Sequence, residues 1–430
     1  MIEFLKILFN EQLVSCVIFI SSYLLFIFLP KKRTIIAVLA AALLVLTQVL
    51  SLKEALFSIN WNVMGIFVGT LFVADIFMKS RVPAYLAELI VDRAKNTARS
   101  ILLICVMTGV ISAFVENVAT VLIVAPVALA LAKKLHLNPT KMMIAIAVSS
   151  NLQGAATLIG DPPSMILGGF ARMNFVDFFF YKGRPSIFFA VELGALSSFL
   201  VLYLLFRHYR GKKKILPLEK VKSWVPTYLL IALIFSLASS SFFDTGFSYM
   251  AGMICMVFGI ICVLWERFMN KGSFLKNLKH LDWETTFFLI GIFILVGSIT
   301  ETGWIDKISI FLSDAVGQNI FIAYSILLLI AVILSAFIDN VPLLTAMLPV
   351  AISMSEKLQI NPSLFLFGLL IGASLGGNIT PIGASANIIA CGLLKKEGYP
   401  VRFRDFVGIG LPFTLAAVST AYLFIWIVWR

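Results

Sequence analysis

The sequence predicts an all-α polytopic membrane protein made of two copies of one unit, inserted in opposite orientations. Three observations support this fold class. The 430 residues are 60% hydrophobic and 13% charged, with a mean hydropathy of +1.00, which is far more apolar than a soluble domain. Several apolar stretches approach or exceed the roughly 20 residues that a helix needs to cross a bilayer. In addition, one stretch of the chain occurs twice.

The duplicated stretch is Ile111 to Gly169, which aligns without a gap to Leu334 to Gly392 at an offset of 223 residues. Its matches include polar and helix-breaking residues, which chance similarity between apolar helices would not bring into register. The identical pairs include Asn117 with Asn340, Pro126 with Pro349, Lys134 with Lys357, Asn138 with Asn361, Thr157 with Thr380 and Gly160 with Gly383. We interpret this as an internal duplication, with a first repeat at residues 1–215 and a second, inverted repeat at residues 216–430.

Each repeat contains six apolar segments, which predict five crossings and one re-entrant hairpin. In the first repeat they lie at about 13–30, 34–52, 59–78, 100–133 (the hairpin), 141–169 (a broken helix) and 186–206. In the second repeat they lie at about 223–241, 249–265, 283–302, 321–358 (the hairpin), 363–392 (a broken helix) and 405–428. Residues 80–96 and 302–318 carry apolar side chains at helical spacing, which predicts amphipathic helices along the membrane surface.

The basic residues predict the orientation of these segments. One face receives 26 of the 34 Lys and Arg residues, which is typical of the cytoplasmic face. Both termini then lie outside, and each repeat crosses an odd number of times, so the repeats have opposite orientations. Secondary transporters with such inverted repeats bind their substrates at the repeat interface. We expect a multi-pass protein of the plasma (inner) membrane without a cleavable signal peptide.

The first interruption in each repeat is an acid followed by asparagine, Glu116-Asn117 and Asp339-Asn340. The apolar halves beside it are about 15 residues long, which favours a re-entrant hairpin with the acid at its buried tip. The alternative is two ordinary crossings with the acid in a short loop. We expect the asparagine to cap the helix that follows. We expect the carboxylate to bind a cation, to carry a proton or to form an ion pair.

The second interruption lies within a crossing segment, at residues 154–163 and again at residues 376–387. Its glycines and prolines prevent a continuous helix, and unwound backbone at membrane depth occurs only where protein or a cavity surrounds it. Its carbonyl groups and polar side chains suit Na⁺ or a small hydroxylated solute. Asp161 is either part of this site or only a helix cap.

The predicted binding site therefore combines both tips with both interruptions. Its residues are Glu116, Asn117, Thr120, Gly154, Thr157, Asp161, Asp339, Asn340, Gly377, Asn378, Thr380, Ser385 and Asn387, and Na⁺ is expected near Asn117, Thr157, Asn340 and Thr380.

Other chemistry is not indicated. The sequence contains no phosphate-binding loop and no nucleophile constellation, so it predicts no enzyme. Its five cysteines lie in apolar runs without metal-ligand spacing and are interpreted as core residues. Its basic residues fall in short loops, which predicts membrane orientation and no nucleic-acid partner. We expect no cofactor beyond a coupling ion, H⁺ or Na⁺.

Four motifs resemble those of the ion transporter superfamily, in the branch of arsenite permeases, D-type sodium/proton antiporters and the P protein. They are Glu116-Asn117-Val118-Ala119-Thr120, the run from Ala156 to Pro163, Asp339-Asn340-Val341-Pro342, and the run from Gly377 to Asn387. The resemblance covers nearly the whole chain. It implies a transport domain of hairpins and broken helices, a scaffold domain, an elevator-type movement and a homodimer. If the chain is arsenite permease-like, it also implies an ATPase subunit as partner.

The dicarboxylate branch of that superfamily carries Ser-Asn-Thr at both tips, whereas this chain has Glu116-Asn117-Val118 and Asp339-Asn340-Val341. A carboxylate beside the site would repel a dicarboxylate and favour a cation, a proton or a neutral solute. We therefore predict a proton- or sodium-coupled secondary transporter that exports an inorganic species: arsenite or antimonite, or Na⁺ in exchange for H⁺. The alternatives are a sodium-coupled di- or tricarboxylate symporter and an ion channel. Its expected partners are that small ion or molecule and the lipid bilayer.

Overall fold

The computed structural model describes residues 10–209, 211, 219–244, 246–270, 281–317 and 319–430. These residues are mostly helical, as the sequence predicts. Their strands are two residues each, with Phe180–Tyr181 pairing antiparallel to Arg184–Pro185. The predicted repeat boundary at 215/216 lies outside the described residues.

The helices of the first repeat are α1 (Glu11–Phe28), α2 (Arg33–Leu46), α3 (Leu52–Ser58), α4 (Trp61–Lys79), α5 (Val82–Arg93), α6 (Thr97–Ser112), α7 (Asn117–Leu135), α8 (Thr140–Gly154), α9 (Pro162–Ala171) and α10 (Ile187–Phe206). Those of the second are α11 (Val225–Ser240), α12 (Met250–Asn270), α13 (Trp283–Glu301), α14 (Trp304–Val316), α15 (Ile320–Ser335), α16 (Asn340–Lys357), α17 (Ser363–Gly376), α18 (Ser385–Lys396) and α19 (Phe403–Trp429).

Among the described helices, seven are long and apolar enough to cross a membrane. They are α1, α4, α7, α10, α12, α13 and α19. The apolar helices α6, α11, α15 and α17 are shorter. A chain with this many apolar helices is a membrane protein.

Both predicted interruptions are present in both repeats as helix ends. The hairpins are α6–α7 and α15–α16, and the broken helices are α8–α9 and α17–α18. The predicted surface segments form α5 and α14. Helix α8 is buried continuously from Met142 to Leu152, and every residue of α17 is buried. Because α8 and α17 run through the core, both interruptions begin inside the protein.

Two helix pairs pack closely at positions that correspond between the predicted repeats. A Cβ atom on Gly291 of α13 would lie 2.7 Å from Cβ of Ala37 in α2, and a Cβ atom on Gly259 of α12 would lie 3.0 Å from the carbonyl oxygen of Gly69 in α4. Ala37 and Gly259 correspond at an offset of 222 residues, and so do Gly69 and Gly291. The pair α2–α13 is therefore packed at the same positions as the pair α12–α4.

The predicted crossing at 34–52 differs from the structure, because α2 ends at Leu46. The chain then turns through Gln48, whose φ is 58°. The separate helix α3 begins at a capping box, in which the Ser51 amide donates to Glu54 Oε2 (2.7 Å) and the Glu54 amide donates to Ser51 Oγ (3.2 Å). These local hydrogen bonds start a new helix at Leu52, in the stretch between the predicted segments 34–52 and 59–78.

Candidate functional site

The two hairpin tips have the same construction. Glu116 is the N-cap of α7, where its Oε2 accepts a hydrogen bond from the Ala119 amide (3.0 Å). Asp339 is the N-cap of α16, where its Oδ1 accepts from the Val341 amide (3.2 Å). The prediction that the asparagines are the caps is therefore wrong. A carboxylate at this position satisfies free N–H groups and lies at the positive end of the helix dipole.

The asparagines instead join each tip to the rest of its hairpin. Asn117 Oδ1 accepts from Ser112 Oγ at 2.7 Å. In the second repeat, the hydrogen-bonding groups around Asn340 assign the orientation of its amide. In that orientation Nδ2 donates to Ser335 Oγ (2.6 Å) and to the Ala373 carbonyl (3.0 Å). Ser112 and Ser335 correspond at the offset of 223. The repeat therefore preserves a serine–asparagine pair that holds each tip closed.

The threonines of the interruptions also form matching contacts. Thr157 Oγ1 donates to the Ala113 carbonyl, and Thr380 Oγ1 donates to the Ala336 carbonyl. Each bond fastens an interruption to the turn of its own hairpin.

Glycine is required where each interruption passes behind its tip. A Cβ atom on Gly154 would collide with the side chain of Asn117. A Cβ atom on Gly377 would lie 2.7 Å from the Gly383 carbonyl oxygen and 2.9 Å from the Asn340 side chain. Contacts this close leave no room for a side chain, so both positions need a residue without Cβ.

A network of asparagines joins the two repeats. Asn151 Nδ2 donates to Asn378 Oδ1 (2.8 Å) and to Asn387 Oδ1 (2.9 Å). Asn151 Oδ1 accepts from Asn117 Nδ2 at 3.4 Å. Asn387 Nδ2 in turn donates to the carbonyl groups of Gly377 and Thr380, both at 2.9 Å. The first tip is thereby connected to the second interruption through buried amides.

Both tips face one cavity of about 570 Å³. Among the residues that the structure describes, the acidic ones that line it are Glu116, Asp161, Asp282, Glu284 and Asp339. The basic ones are Lys31 and Arg33. Five carboxylates face two basic groups, so the cavity carries an excess of negative charge when all of them are ionised. Such a lining attracts cations and disfavours polyanions.

The two tip acids differ in their charge partners. The Arg33 guanidinium forms an ion pair with Asp339 through NH1 and Oδ2. Within the part of the chain that the structure describes, Glu116 forms no ion pair. The Glu116 carboxylate accepts its hydrogen bond from the backbone of its own helix, at the Ala119 amide. An acid without a countercharge inside a membrane protein is suited to binding a cation or a proton.

Comparison with known families now identifies the chain. The family model described as citrate transporter matches residues 23–363 and 278–430, which together cover most of the sequence. The chain belongs to the citrate transporter family. Members of this family, which lies in the ion transporter superfamily, are transporters and not enzymes. The predicted superfamily and the prediction that the chain is not an enzyme are confirmed.

Relatives support the same assignment over the full length. An uncharacterized transporter of Mycobacterium tuberculosis is 26% identical over 425 residues, which cover 97% of this chain and 98% of that one. An uncharacterized transporter of Synechocystis is 28% identical over 440 residues, with 96% of each chain covered. The mouse P protein is 25% identical over 514 residues, which cover 98% of this chain and 61% of the P protein. The last match confirms the resemblance to the P protein.

Two solved transporters share the fold. The YdaH transporter of Alcanivorax borkumensis has a TM-score of 0.59 at 15% identity, with 85% of this chain and 84% of that one covered. MtrF of Neisseria gonorrhoeae has a TM-score of 0.55 at 13% identity, with 89% and 83% covered. At such low identity the likeness supports a transporter fold and no particular substrate.

For this member of the citrate transporter family, the structure divides the predicted site residues into two groups. Those that line the cavity are Glu116, Asn117, Asp161, Asp339, Asn340 and Ser385. Those that lie behind it in the described structure are Thr120, Gly154, Thr157, Gly377, Asn378, Thr380 and Asn387. Thr120 Oγ1, for example, donates to the Val115 carbonyl at 3.1 Å. Direct binding by the residues of either group, and Na⁺ near the asparagines and threonines, remain predictions.

Asp161 has the capping role that the sequence allows, and its role in binding stays a prediction. It is the N-cap of α9, since its Oδ1 accepts from the Ser164 amide (3.0 Å), and it also lines the cavity. Its repeat counterpart is Ala384, which cannot cap α18 with a side chain. The two interruptions therefore differ by one charge at equivalent positions.

Across the described residues, no cluster of three or more His, Cys, Asp or Glu side chains could hold a metal ion.

Sequence analysis missed several residues that line the cavity, among them Lys31, Arg33, Asp282, Glu284 and Asn151. The asparagine network depends on Asn151. This asparagine is a polar residue in the buried helix α8, three positions before the glycine that ends it. That position is a usable signal, because a buried amide needs partners. The partners themselves lie 227 and 236 residues further along the chain, so the sequence does not reveal them.

We expect Asn151→Ala to weaken both folding and transport. The substitution leaves Asn378 and Asn387 each without a donor, and an unpaired buried polar group costs about 1–3 kcal/mol. The purified variant should unfold at a lower temperature, and it should transport more slowly because Asn151 joins the first tip to the second interruption.

Thr108→Ala is the matched control for that experiment. Thr108 is also fully buried, but its hydroxyl donates within α6 to the Ile104 carbonyl (2.7 Å), so its removal leaves no side chain unpaired. Thermal unfolding in detergent and flux in proteoliposomes measure both variants. Equal effects of the two substitutions would show that the asparagine network has no special role.

Proposed function

We propose that this protein is a secondary-active transporter coupled to protons or Na⁺, and that Glu116 is the group that binds the coupling ion. The observation that carries the proposal is the difference in charge partners between the acids of the two tips. Glu116 lines the cavity without an ion-pair partner in the described structure, while the acid of the other tip is paired with Arg33. An uncompensated carboxylate at this depth is expensive unless an ion neutralises it.

The charge of the cavity supports an inorganic cargo. Glu116, Asp161 and Asp339 all stand at helix N-termini and already occupy them with their own carboxylates. An anionic substrate would compete with these acids for the same N–H groups and would meet their repulsion. A neutral hydroxide such as arsenite or antimonite, or Na⁺ exchanged for H⁺, meets no such barrier. We therefore propose export of one of these species.

The proposed movement follows from the architecture. We propose that the hairpins and broken helices form a transport domain that moves in elevator fashion against the remaining helices, within inverted repeats and a homodimer in the plasma (inner) membrane. The cavity reaches exposed residues near Lys31 and Asp282, on the face that the basic residues predict to be cytoplasmic. The conformation described here is then open to the cytoplasm.

The test is flux in proteoliposomes under an imposed pH gradient, with Na⁺, arsenite, citrate and succinate offered in turn. We expect Na⁺ or arsenite to move while the lumenal pH changes, and the two carboxylates to leave it unchanged. Flux that only follows the cargo's own gradient, at rates far above those of a carrier, would mean a channel and overturn the proposal.

A second candidate is sodium-coupled transport of a di- or tricarboxylate. It is favoured by the family description and by two features of the cavity, the Arg33 guanidinium and the start of α18, which Ala384 leaves without a side-chain cap. Guanidinium groups and free helix N-termini both bind carboxylates. Uptake of citrate or succinate that requires Na⁺ and leaves the pH unmoved would establish this function and exclude the first.

A further inference from the structure

Arg33 connects two parts of the protein that the proposed movement would separate. It is the first residue of α2, and its guanidinium carbon lies 4.9 Å from the ring centre of Phe288 in α13. The same guanidinium pairs with Asp339, the N-cap of α16 at the second tip. The side chains of Arg33 and Asp339 are 21% and 25% exposed, so water only partly screens the pair. The second tip is thus fastened to the α2–α13 helix pair.

Among the residues that the structure describes, the first tip has no equivalent ion pair. At the offset of 222 that relates α2 to α12, the counterpart of Arg33 is Cys255. Cys255 is buried, and its backbone is the part of α12 that a Cβ on Gly69 of α4 would meet. It has no charge to offer Glu116. Two tips that are alike in sequence and in backbone capping therefore differ in their electrostatics.

We propose that the Arg33–Asp339 pair is a latch that holds the second tip on the α2–α13 pair in the conformation open at this cavity. The latch must break whenever the tips move relative to α2. Asp339 is then a positioning residue that selects the conformation, and the binding of the coupling ion is left to Glu116. This division of labour rests on the proposed function, whereas the latch itself is a statement about conformation.

Such a latch has a characteristic response to mutation. Removing either partner abolishes the same interaction, so the second removal should change nothing further. Independent effects of Arg33 and Asp339 would instead multiply. The effect of each substitution on the conformation can be measured without a transport assay, as the rate at which a cysteine in the cavity is labelled.

The experiment uses Ile382→Cys as the reporter, because Ile382 lines the cavity and is 55% exposed. Cys16 and Cys391, which are partly exposed, are replaced by alanine, and the three remaining cysteines are buried. Inside-out membrane vesicles are treated with a membrane-impermeant maleimide, and the labelling rate of the introduced thiol is measured in four backgrounds: the parent, Arg33→Gln, Asp339→Asn and the double variant.

We expect each single variant to lower the labelling rate by about threefold to fivefold, as a partly exposed ion pair can. The double variant should label at the same rate as either single one. Arg81→Gln is the control, because it breaks an exposed ion pair with Glu219 (2.6 Å) that lies away from the cavity, and it should label like the parent. Thermal unfolding of each variant in detergent shows whether it is folded, and Arg33→Lys, which keeps the charge, should restore part of the rate.

Two results would overturn the latch: parental labelling in Arg33→Gln, or a further fall when Arg33→Gln is added to Asp339→Asn. Neither depends on what is transported. If labelling behaves as expected while no coupled flux is found, the latch stands and the proposed function fails. If coupled flux is found and the labelling effects multiply, the function stands and the latch fails.

Discussion

Glu116→Gln should abolish the coupling of transport to the driving ion. Glutamine keeps the size of the side chain and retains an oxygen to accept from the Ala119 amide, so α7 keeps its cap. It cannot take up a proton or neutralise a bound cation in the way that a carboxylate does. We expect ion-coupled flux to fall by about two orders of magnitude, in keeping with the loss of a group that acts directly on a proton. Flux in proteoliposomes with a lumenal pH dye measures the change.

The control for this substitution is Glu54→Gln. Glu54 also caps a helix start, but in α3 and away from the cavity. Its replacement should leave coupled flux unchanged. If Glu116→Gln transports with the pH dependence of the parent, the coupling role given to this acid is wrong, whatever the cargo is.

The largest structural effect is expected from Gly410→Ala in α19. A Cβ atom there would collide with the carbonyl oxygen of Asn378, and it would also lie 3.2 Å from the Ile379 carbonyl oxygen. Both carbonyls belong to the second interruption, which the neighbouring α17 and α19 hold in place. Forcing a methyl group into such a packed contact typically costs about 1–3 kcal/mol. The variant should unfold at a lower temperature in detergent and should lose transport.

Gly408→Ala, two residues earlier in the same helix, isolates that contact. A Cβ atom on Gly408 meets nothing within 4 Å. Both substitutions gain the same helix propensity of about 1 kcal/mol, so the difference between the variants reports the packing alone. Gly408→Ala should be as stable as the parent or slightly more so. Equal stability of the two variants would mean that α19 can withdraw from the interruption at little cost.

The interruptions and tips illustrate what a sequence can predict. Glycine, proline and acid–asparagine pairs act on the backbone within a few residues, so the ends of α6, α8, α15 and α17 follow from local chemistry. The duplication strengthened each prediction, because a feature such as the Ser112–Asn117 pair recurs as Ser335–Asn340. The short helix α3 was missed because it lies between the predicted segments 34–52 and 59–78 and begins at a capping box, which hydropathy does not detect.

Which residue caps each of these helices depends on where the backbone turns, and the sequence pattern does not define that turn to a single residue. Sequence reasoning assigned the N-cap role to Asn117 and Asn340, whereas the backbone turns one residue earlier and gives it to Glu116 and Asp339. That shift frees both asparagines for Ser112 and Ser335. A pattern of residue types predicts a cap within about two positions, and here a shift of one position changes which side chain accepts a hydrogen bond from the first turn of the helix.

By itself the sequence determined the class of protein, the places where helices break and the residues that form both tips, whereas the inverted repeats stay a prediction. These depend on hydropathy and on neighbours within a few positions of the chain. Only the tertiary structure decided that Asn151 bridges the repeats, that the threonines lie behind the cavity and that Arg33 neutralises one tip acid and not the other. The physical reason is that these contacts join residues more than 200 positions apart in places. Such pairs are selected by the packing of whole helices, which no local pattern encodes.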